Sequence, residues 1–409
     1  GRLDRATIFA EGLPFPTGVM AWRDGVLVCA APDILYLADT DGDGRADAVN
    51  RLFTGFFTDN YNSRVNSLTA GLDNWIHGAN GKFGGVVRSL ATGKEIDISG
   101  RDFRMNPDTG AFELVPGASQ QGRGRDDWDN WFGCNNSHWV FHFPLPDRYL
   151  RRNPHLSAPP PFVVLPSEAD SGRLNPISEK MERYNNPQMQ SRITSSCGLG
   201  LYRDVLLGED FQGNSFTGEV AHNLVRRYQL VPKGITFSGR RPPDERSVEF
   251  LASEDPWFRP VQIRTGPDGG LYVIDMYRAV IEHTRWIQVD RLATLDVRAG
   301  ADRGRIYRIV PEGARLRPVL NLKRLATDDL VAVLDTPNGP TRDLVQLEIV
   351  QRGDRQAVPL LERLASSSGT ATVRVQALAV LDGLQALTPS VLRRALDDQH
   401  PAVRRHAVR

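Results

Sequence analysis

The sequence predicts a mainly β protein, with a β-propeller of five to six blades over residues 1–311 and an α-helical, HEAT-like solenoid over residues 318–409. A unit made of an apolar strand, a turn carrying Asp, Asn or Gly and a second strand recurs through the first part. After residue 318 the apolar residues change to a helical spacing. The 37 Gly and 27 Pro residues suit a chain with many turns between short strands.

Successive copies of the β unit lie roughly 45 to 65 residues apart, which is the scale of a four-stranded propeller blade with its loops. We find no amphipathic helices between the strands, so an α/β fold is disfavoured. A sixth, degenerate blade could lie among the long insertions, and residues 6–10 could pair with residues 304–310 to close the ring. The five visible copies cover residues 19–29, 65–77, 131–141, 197–207 and 261–275.

The C-terminal part reads as helices. Val373-Arg374-x-x-Ala377 recurs as Val403-Arg404-x-x-Ala407, a period of 30 residues. Paired helices that stack into a solenoid fit this pattern, although HEAT repeats usually have periods of about 40 residues or more. Residues 311–318 are the expected linker. The apolar positions with helical spacing are Leu322, Leu325, Leu330, Val333, Leu334, Leu344, Leu347, Ile349 and Val350.

Composition excludes several functional classes. The 50 basic and 49 acidic residues give a net charge of +1, which argues against a nucleic-acid-binding surface. No apolar run approaches the roughly 18 residues of a membrane span. The three Cys residues lack the spacing of metal ligands, and without a C-x-x-C-H motif we expect no haem site in this chain. Any export signal is expected outside it.

The motif Asp39-Thr-Asp-Gly-Asp-Gly-Arg-Ala-Asp47 predicts a calcium site. The carboxylates of Asp39, Asp41, Asp43 and Asp47 match positions 1, 3, 5 and 9 of an EF-hand loop, and a glycine stands at position 6. Position 12 is Asn50 instead of the bidentate glutamate, so calcium would be completed differently. A solvated acidic turn is the alternative. Because four close carboxylates repel one another without a cation, we favour a structural calcium ion.

Residues at the ends of the inner strands predict a polar pocket. In a propeller, the loops that enter and leave these strands gather at the mouth of the central channel. Converging Arg, His and Asp side chains suit the binding of a polyol or an anionic cofactor and the transfer of a proton. Alternatively, they only hydrogen-bond to neighbouring loops. Arginines stand where the chain enters the strands, at Arg64, Arg192 and Arg259. The residues at the exits include His77, Asp275, Tyr277 and Arg278.

Two further clusters contain candidate residues. His283 is the histidine that we expect to be catalytic, with His77 second. Asn136 and His138 follow an aromatic run and could line the same pocket, or belong only to a turn. Cys134 and Cys197 occupy equivalent regions of two blades, where they could form a disulfide or remain two buried thiols.

Nine short motifs follow one another between residues 132 and 308: Phe132-Gly-Cys-Asn-Asn-Ser-His138, Arg151-Arg-Asn-Pro-His155, Thr194-Ser-Ser-Cys-Gly198, Asn223-Leu-Val-Arg226, Trp257-Phe-Arg-Pro-Val261, Gly266-Pro-Asp-Gly269, Asp275-Met-Tyr-Arg278, Ile281-Glu-His283 and Arg303-Gly-Arg-Ile-Tyr-Arg308. In this order they resemble the propeller domain of the membrane-bound dehydrogenase family that is abundant in planctomycetes and related bacteria, and the likeness covers about residues 5–311. In that family, HEAT-like repeats and then usually a cytochrome-c-type haem domain follow the propeller. The propeller itself is similar to soluble quinoprotein glucose and sorbosone dehydrogenases.

The resemblance implies a periplasmic or cell-envelope dehydrogenase that oxidises a sugar or polyol and passes electrons to a haem domain outside this chain. It implies pyrroloquinoline quinone and calcium at the channel mouth, with His283 or His77 as the base and Arg192, Arg259 and Arg278 on the quinone carboxylates. The alternative is a non-catalytic propeller–solenoid scaffold that binds glycan or protein. A calcium-dependent hydrolase is disfavoured because no nucleophile–base pair stands out.

Overall fold

The computed structural model of the protein describes residues 6–153, 155, 157–167, 171–179 and 191–409. Pro154, which belongs to one of the motifs above, lies outside these residues. The described strands form five sheets, which are the blades of a five-bladed β-propeller. The predicted propeller is therefore confirmed.

The blades are numbered 1 to 5 in chain order, and the first strand of each is innermost. Blade 1 contains β1 (Gly18–Trp22), β2 (Gly25–Ala30), β3 (Asp33–Ala38) and β4 (Ala48–Phe56), extended by β7 (Gly85–Ser89) and β8 (Glu95–Asp97). Blade 2 contains β5 (Asn66–Ala70), β6 (Ile76–Ala79), β9 (Asp102–Asn106) and β10 (Ala111–Val115). Blade 3 contains β11 (Arg123–Arg125), β12 (Trp131–Asn135), β13 (His138–Phe143) and β14 (Val163–Val164).

Blade 4 contains β15 (Ser196–Leu201), β16 (Ser215–Glu219), β17 (Leu224–Lys233) and β18 (Thr236–Arg240), and β19 (Leu251–Ala252) also pairs with β17. Blade 5 contains β20 (Pro260–Thr265), β21 (Leu271–Asp275) and β22 (Arg305–Ile309). Two short helices lie in the connections, α1 (Asp147–Leu150) and α2 (Val289–Leu292).

The core lies between the blades, because each sheet buries apolar side chains against the next. Phe53, Ile76 and Phe103 join blades 1 and 2, and Ile263 packs on Phe216 and its neighbours between blades 5 and 4. Tight turns connect the first and second strands of the blades. In three of these turns a residue other than glycine has positive φ, at Arg23, Asn74 and Asp129.

The inner strands of blades 5 and 1 differ from the other neighbouring pairs. The inner strands β1, β5, β11, β15 and β20 pack side by side in that order. No comparable packing joins β20 to β1 among the described residues. The predicted closure by residues 6–10 is wrong, because this segment lies against blade 1. The Phe9 carbonyl accepts a hydrogen bond from the Ala46 N–H at 2.7 Å, and the Phe9 ring packs against the apolar cluster of β2 and β3.

Helices follow the propeller, as predicted. They are α3 (Thr327–Val333), α4 (Gly339–Arg352), α5 (Val358–Ser367), α6 (Ala371–Gly383), α7 (Pro389–Leu396) and α8 (Pro401–Val408). We call α3–α8 the helical layer, and its assignment to HEAT-like repeats stays a prediction. Across the part of the chain that the structure describes, no helix has the length and apolar character needed to cross a membrane.

The helical layer contacts the turn between the first and second strands in every blade. We call the end of the propeller that carries these turns the closed end, and the opposite end the open end. Blade 1 is contacted through the Arg23 N–H, which donates to Gln351 Oε1 at 3.1 Å. The other contacts are Asn74 to the Ala379 carbonyl, Arg342 to Asp127, Arg203 to Asp343, and Asn338 to the Gly266 carbonyl.

Candidate functional site

Aromatic rings from three distant segments stack at the open end. The Tyr61 ring lies 4.1 Å from the His283 ring with an interplanar angle of 11°, and Phe15 stacks on the other side of Tyr61 at 6.1 Å. The Tyr61 hydroxyl donates to the Glu282 carbonyl at 3.4 Å and accepts from the Thr284 N–H at 3.3 Å. The loop before β5 and the loop after β21 are therefore joined.

His283 caps a short helical turn. Its Nδ1 accepts a hydrogen bond from the Arg285 N–H at 3.1 Å, so the neutral ring has its proton on Nε2. Partial burial and the charge of Arg285 lower the pKa of His283. Because the basic nitrogen is already engaged by the backbone, His283 offers a ring face and an N–H donor in this arrangement.

Amide side chains meet beside this stack. The buried Gln120 donates through Nε2 to Ser63 Oγ at 3.1 Å and accepts at Oε1 from the Asn136 N–H at 3.3 Å. Gln121 Nε2 donates to the Asn62 carbonyl at 3.2 Å. The side-chain amides of Asn62 and Asn136 make no hydrogen bond with any described residue, and Asn136 is exposed. Gln120 and Gln121 therefore fix the backbones of two residues whose side-chain amides are unengaged.

His138, the first residue of β13, lies next to this network. Its Nδ1 is 3.0 Å from Asn135 Oδ1, and partial burial lowers its pKa. Ser196 Oγ donates to the carbonyls of Asn135 and His138 at 2.6 and 3.1 Å. The structure thus brings the predicted pair Asn136 and His138 to the open end, where blade 4 supports their turn.

Arg64 and Arg259 lie where the chain enters inner strands, as predicted from the sequence. Their guanidinium groups, however, donate to backbone carbonyls of the propeller itself. Arg259 is 1% exposed. It donates to the carbonyls of Val220, Arg278 and Ala279 at 2.6 to 2.8 Å. Arg64 donates to the Thr58 carbonyl at 2.8 Å and lies over the Phe15 ring.

The remaining predicted residues of blade 5 are also used internally. Arg278 donates to the carbonyls of Met276 and Arg303 at 2.7 and 3.0 Å. Asp275 Oδ1 accepts from the N–H groups of Arg259 and Tyr277 at 2.7 and 2.8 Å. The guanidinium of Arg305 covers the Tyr277 ring at 3.8 Å. These residues shape the loop that carries His283.

His77 and Arg192 do not join the group around His283. His77 lies near the closed end, where its Nε2 contacts Asp73 at 3.1 Å and its ring stacks on Trp131 at 4.0 Å. Arg192 is exposed and bridges to Arg173 through its backbone. The prediction of one pocket containing both histidines is therefore wrong, since they stand at opposite ends of their blades.

A quinone with several carboxylates needs cations with free donors. Arg259 and Arg278 have their guanidinium groups on backbone carbonyls, and Arg192 lies apart. The arginines predicted from the resemblance consequently do not fit pyrroloquinoline quinone in this arrangement.

Sequence reasoning missed a buried acid that organises the loop before β15. Glu219 is 0% exposed and accepts from the Ser195 N–H and from His222 Nδ1, both at 2.8 Å. His222 Nε2 in turn accepts from the Ser191 N–H at 3.1 Å. The only sequence signal is the Glu219-x-x-His222 spacing across a tight turn, which is too common to predict a role.

The acidic loop between β3 and β4 brings three carboxylates together. One oxygen from each of Asp39, Asp41 and Asp43 lies within 4.8 Å of the others. Asp39 also accepts from the N–H groups of Gly42 and Gly44 at 2.7 and 2.8 Å. Asp47 instead accepts from the Thr40 N–H and hydroxyl at 3.0 and 2.6 Å, and these bonds lower its pKa.

Cys134 and Cys197 are free thiols, so the disulfide alternative does not hold here. Both are buried. Cys134 Sγ contacts the Gln121 carbonyl at 3.1 Å, and burial raises its pKa to about 12. A thiol that stays protonated has little nucleophilic character.

Several solved propellers are similar to this chain at low identity. A luciferin-regenerating enzyme is 11% identical, with 73% of this chain and 79% of that chain covered and a TM-score of 0.38. A glucose dehydrogenase is 15% identical over 66% and 81% of the chains, with a TM-score of 0.37. The soluble aldose sugar dehydrogenase of Escherichia coli is 10% identical over 66% and 95%, with a TM-score of 0.30. Likenesses this weak carry no argument about function.

No curated protein matches the sequence significantly. A family described as a domain of unknown function, DUF7133, matches residues 1–313, which is most of the chain and includes all five blades. The chain therefore belongs to the DUF7133 family.

Proposed function

We propose that the propeller binds a sugar or polyol at its open end. The observation that carries this proposal is that the backbones of Asn62 and Asn136, whose amides are unengaged, are both held by Gln120 beside the stacked rings of Tyr61 and His283. Amides donate to and accept from hydroxyl groups, and aromatic rings pack against the C–H face of a sugar. The helical layer covers the other end, so this end is the accessible one.

Replacing Asn62 with alanine is expected to weaken binding of the preferred sugar by up to about tenfold, because one hydrogen bond to a hydroxyl is lost. Titration calorimetry with a panel of aldoses and polyols measures this loss. Asn50→Ala removes an exposed amide from β4 and serves as the matched control. If no member of the panel binds, or if both variants bind like the wild type, the proposed site is wrong.

Oxidation of the bound sugar is a second candidate function, supported by the nine motifs that resemble a dehydrogenase propeller. As a dehydrogenase, the protein would act at the cell envelope and pass electrons to a haem domain outside this chain. Arg259 and Arg278 do not favour this function, because their guanidinium groups already donate to backbone carbonyls. Protein reconstituted with pyrroloquinoline quinone and calcium should then reduce an artificial dye in the presence of sugar. Binding without turnover supports the alternative, a non-catalytic scaffold for glycan or protein.

We also propose that the loop of Asp39, Asp41 and Asp43 binds calcium, with Asp47 closing the site through its remaining capacity as an acceptor. Three converging carboxylates offer hard oxygen ligands to such an ion. Calcium is expected to raise the melting temperature of the wild type, and Asp41→Asn combined with Asp43→Asn should weaken calcium binding at least tenfold. The exposed Asp328→Asn is the control. An equal response of all three proteins to calcium and to a chelator would contradict the proposal.

A further inference from the structure

Arg64 is a cation without a counter-charge at the open end. It is 8% exposed, and no described carboxylate forms an ion pair with it. The only hydrogen bond from its guanidinium to a described residue goes from Nη2 to the Thr58 carbonyl at 2.8 Å. The Nε nitrogen is buried and has no hydrogen-bond partner among the described residues. Because a guanidinium carries five N–H groups, most of the donors of Arg64 remain unused.

Other buried arginines of the propeller are paired with acids. Arg123 contacts Asp102 at 2.7 Å, and Arg226 contacts Glu249 at 2.5 Å. For Arg64, burial lowers the pKa and no carboxylate opposes this effect. A buried cation is unfavourable unless an anion compensates its charge. A negatively charged ligand would supply the compensation that the described residues do not.

The ring of Phe15 covers Arg64 and is itself weakly held. The guanidinium carbon of Arg64 lies 4.7 Å from the centre of this ring, whereas Phe15 is 63% exposed. The backbone φ of Phe15 is +44°, in the left-handed region that is unfavourable for an aromatic residue. Because little of Phe15 is buried and its backbone is strained, a ligand that binds Arg64 more strongly can displace the ring.

Arg64 is next to the proposed sugar site. Phe15 stacks on Tyr61 at 6.1 Å, so a single ring separates Arg64 from the aromatic stack of that site. Gln120, which holds the two residues with unengaged amides, also donates to Ser63 Oγ at 3.1 Å, directly before Arg64. A sugar bound by these rings and amides would therefore have one of its substituents within reach of Arg64.

We propose that the sugar bound at the open end is a uronic acid, whose carboxylate binds Arg64 in place of the Phe15 ring. This inference rests on the sugar site proposed above. A planar guanidinium matches a carboxylate through two parallel hydrogen bonds. One negative charge balances the single cation, whereas a phosphate dianion would keep an unpaired charge. The rings and amides then bind the body of the sugar, and Arg64 selects the acid over the neutral sugar.

Two matched pairs of probes test this, galacturonate with galactose and glucuronate with glucose, because the members of each pair differ only at C6. Titration calorimetry of the full chain is the measurement. The wild type should bind one of the acids at least tenfold more tightly than its neutral partner, since hydrogen bonds to a charged group are the stronger ones. Arg64→Gln should weaken binding of this acid at least tenfold and leave binding of the neutral sugar unchanged.

Two further variants serve as controls. Arg88→Gln removes the same charge from an exposed position on β7 and should bind all four probes like the wild type. Phe15→Ala removes the ring that competes with the carboxylate, so it should bind the acid at least as tightly as the wild type does. Galactose 6-phosphate, a dianion, should bind the wild type more weakly than galacturonate.

The outcomes distinguish this inference from the sugar site on which it rests. If none of the four probes binds, both are overturned. If the neutral sugars bind and the acids bind no more tightly, only the role of Arg64 is overturned. The same holds if the sugar phosphate binds more tightly than the acid, or if Phe15→Ala loses the acid. Loss of the neutral sugar by Arg64→Gln would show that Arg64 only supports the fold, and it would also overturn the inference.

Discussion

Replacing Asp343 with asparagine is expected to lower the free energy of unfolding by about 3–5 kcal/mol, the usual loss when one partner of a buried ion pair is removed. Asp343, on α4, accepts from Arg203 at 2.6 Å and from Arg125 at 2.5 Å. The Arg125 side chain is 0% exposed. The substitution would leave two buried cations short of a counter-charge at the junction of the propeller and the helical layer. Urea unfolding followed by fluorescence and circular dichroism measures the effect.

The matched control is Asp329→Asn, an exposed position on α3. Its free energy of unfolding should stay within about 0.5 kcal/mol of the wild type. Burial alone would raise the pKa of Asp343, but the charges of Arg125 and Arg203 outweigh burial and lower it. Its stabilising contribution is therefore present at neutral pH and is lost as the pH falls through the acid range. Unchanged stability of Asp343→Asn would show that the junction does not depend on this carboxylate.

Replacing Arg259 with methionine is expected to destabilise the propeller by about 3–4 kcal/mol, because three partly buried carbonyls of two open-end loops would lose their donor. Those carbonyls belong to Val220, Arg278 and Ala279. The free energy of unfolding is again the quantity measured.

Arg285→Met, at an exposed position near His283, controls for the loss of a positive charge in this region. If Arg259 instead served as a lone cation for an anionic cofactor, its removal would leave the stability of the protein unchanged or raise it. Such an outcome would return Arg259 to the role that the sequence resemblance implied.

The blades could be predicted because their signals are local. An apolar strand, a tight turn and a second strand follow within a dozen residues, as at β20 and β21, and the helical spacing after residue 318 is equally local. The acidic loop was also visible, since Asp39, Asp41 and Asp43 owe their convergence to neighbouring residues.

The partners of the site residues could not be predicted, because they come from distant segments. The place of Arg259 at the entry of an inner strand was correctly inferred, yet its use depends on carbonyls 19 to 39 residues away. Tyr61 and His283 stack across more than two hundred residues of sequence, and no pattern around either residue signals this contact. His77 was assigned to the wrong end of its blade because β6 begins only at Ile76, so that His77 lies at the closed-end start of this strand and not at its exit.

The contacts of the helical layer with all five blades have a consequence for the order of assembly during synthesis. Chains fold from the N-terminus as they emerge from the ribosome. Neighbouring inner strands pack on one another, and Tyr61 joins the loop after β21, so these contacts can form before residues 327–408 have been made. The helices should then bind to turns that are already in place and act as a late fastening of the blades.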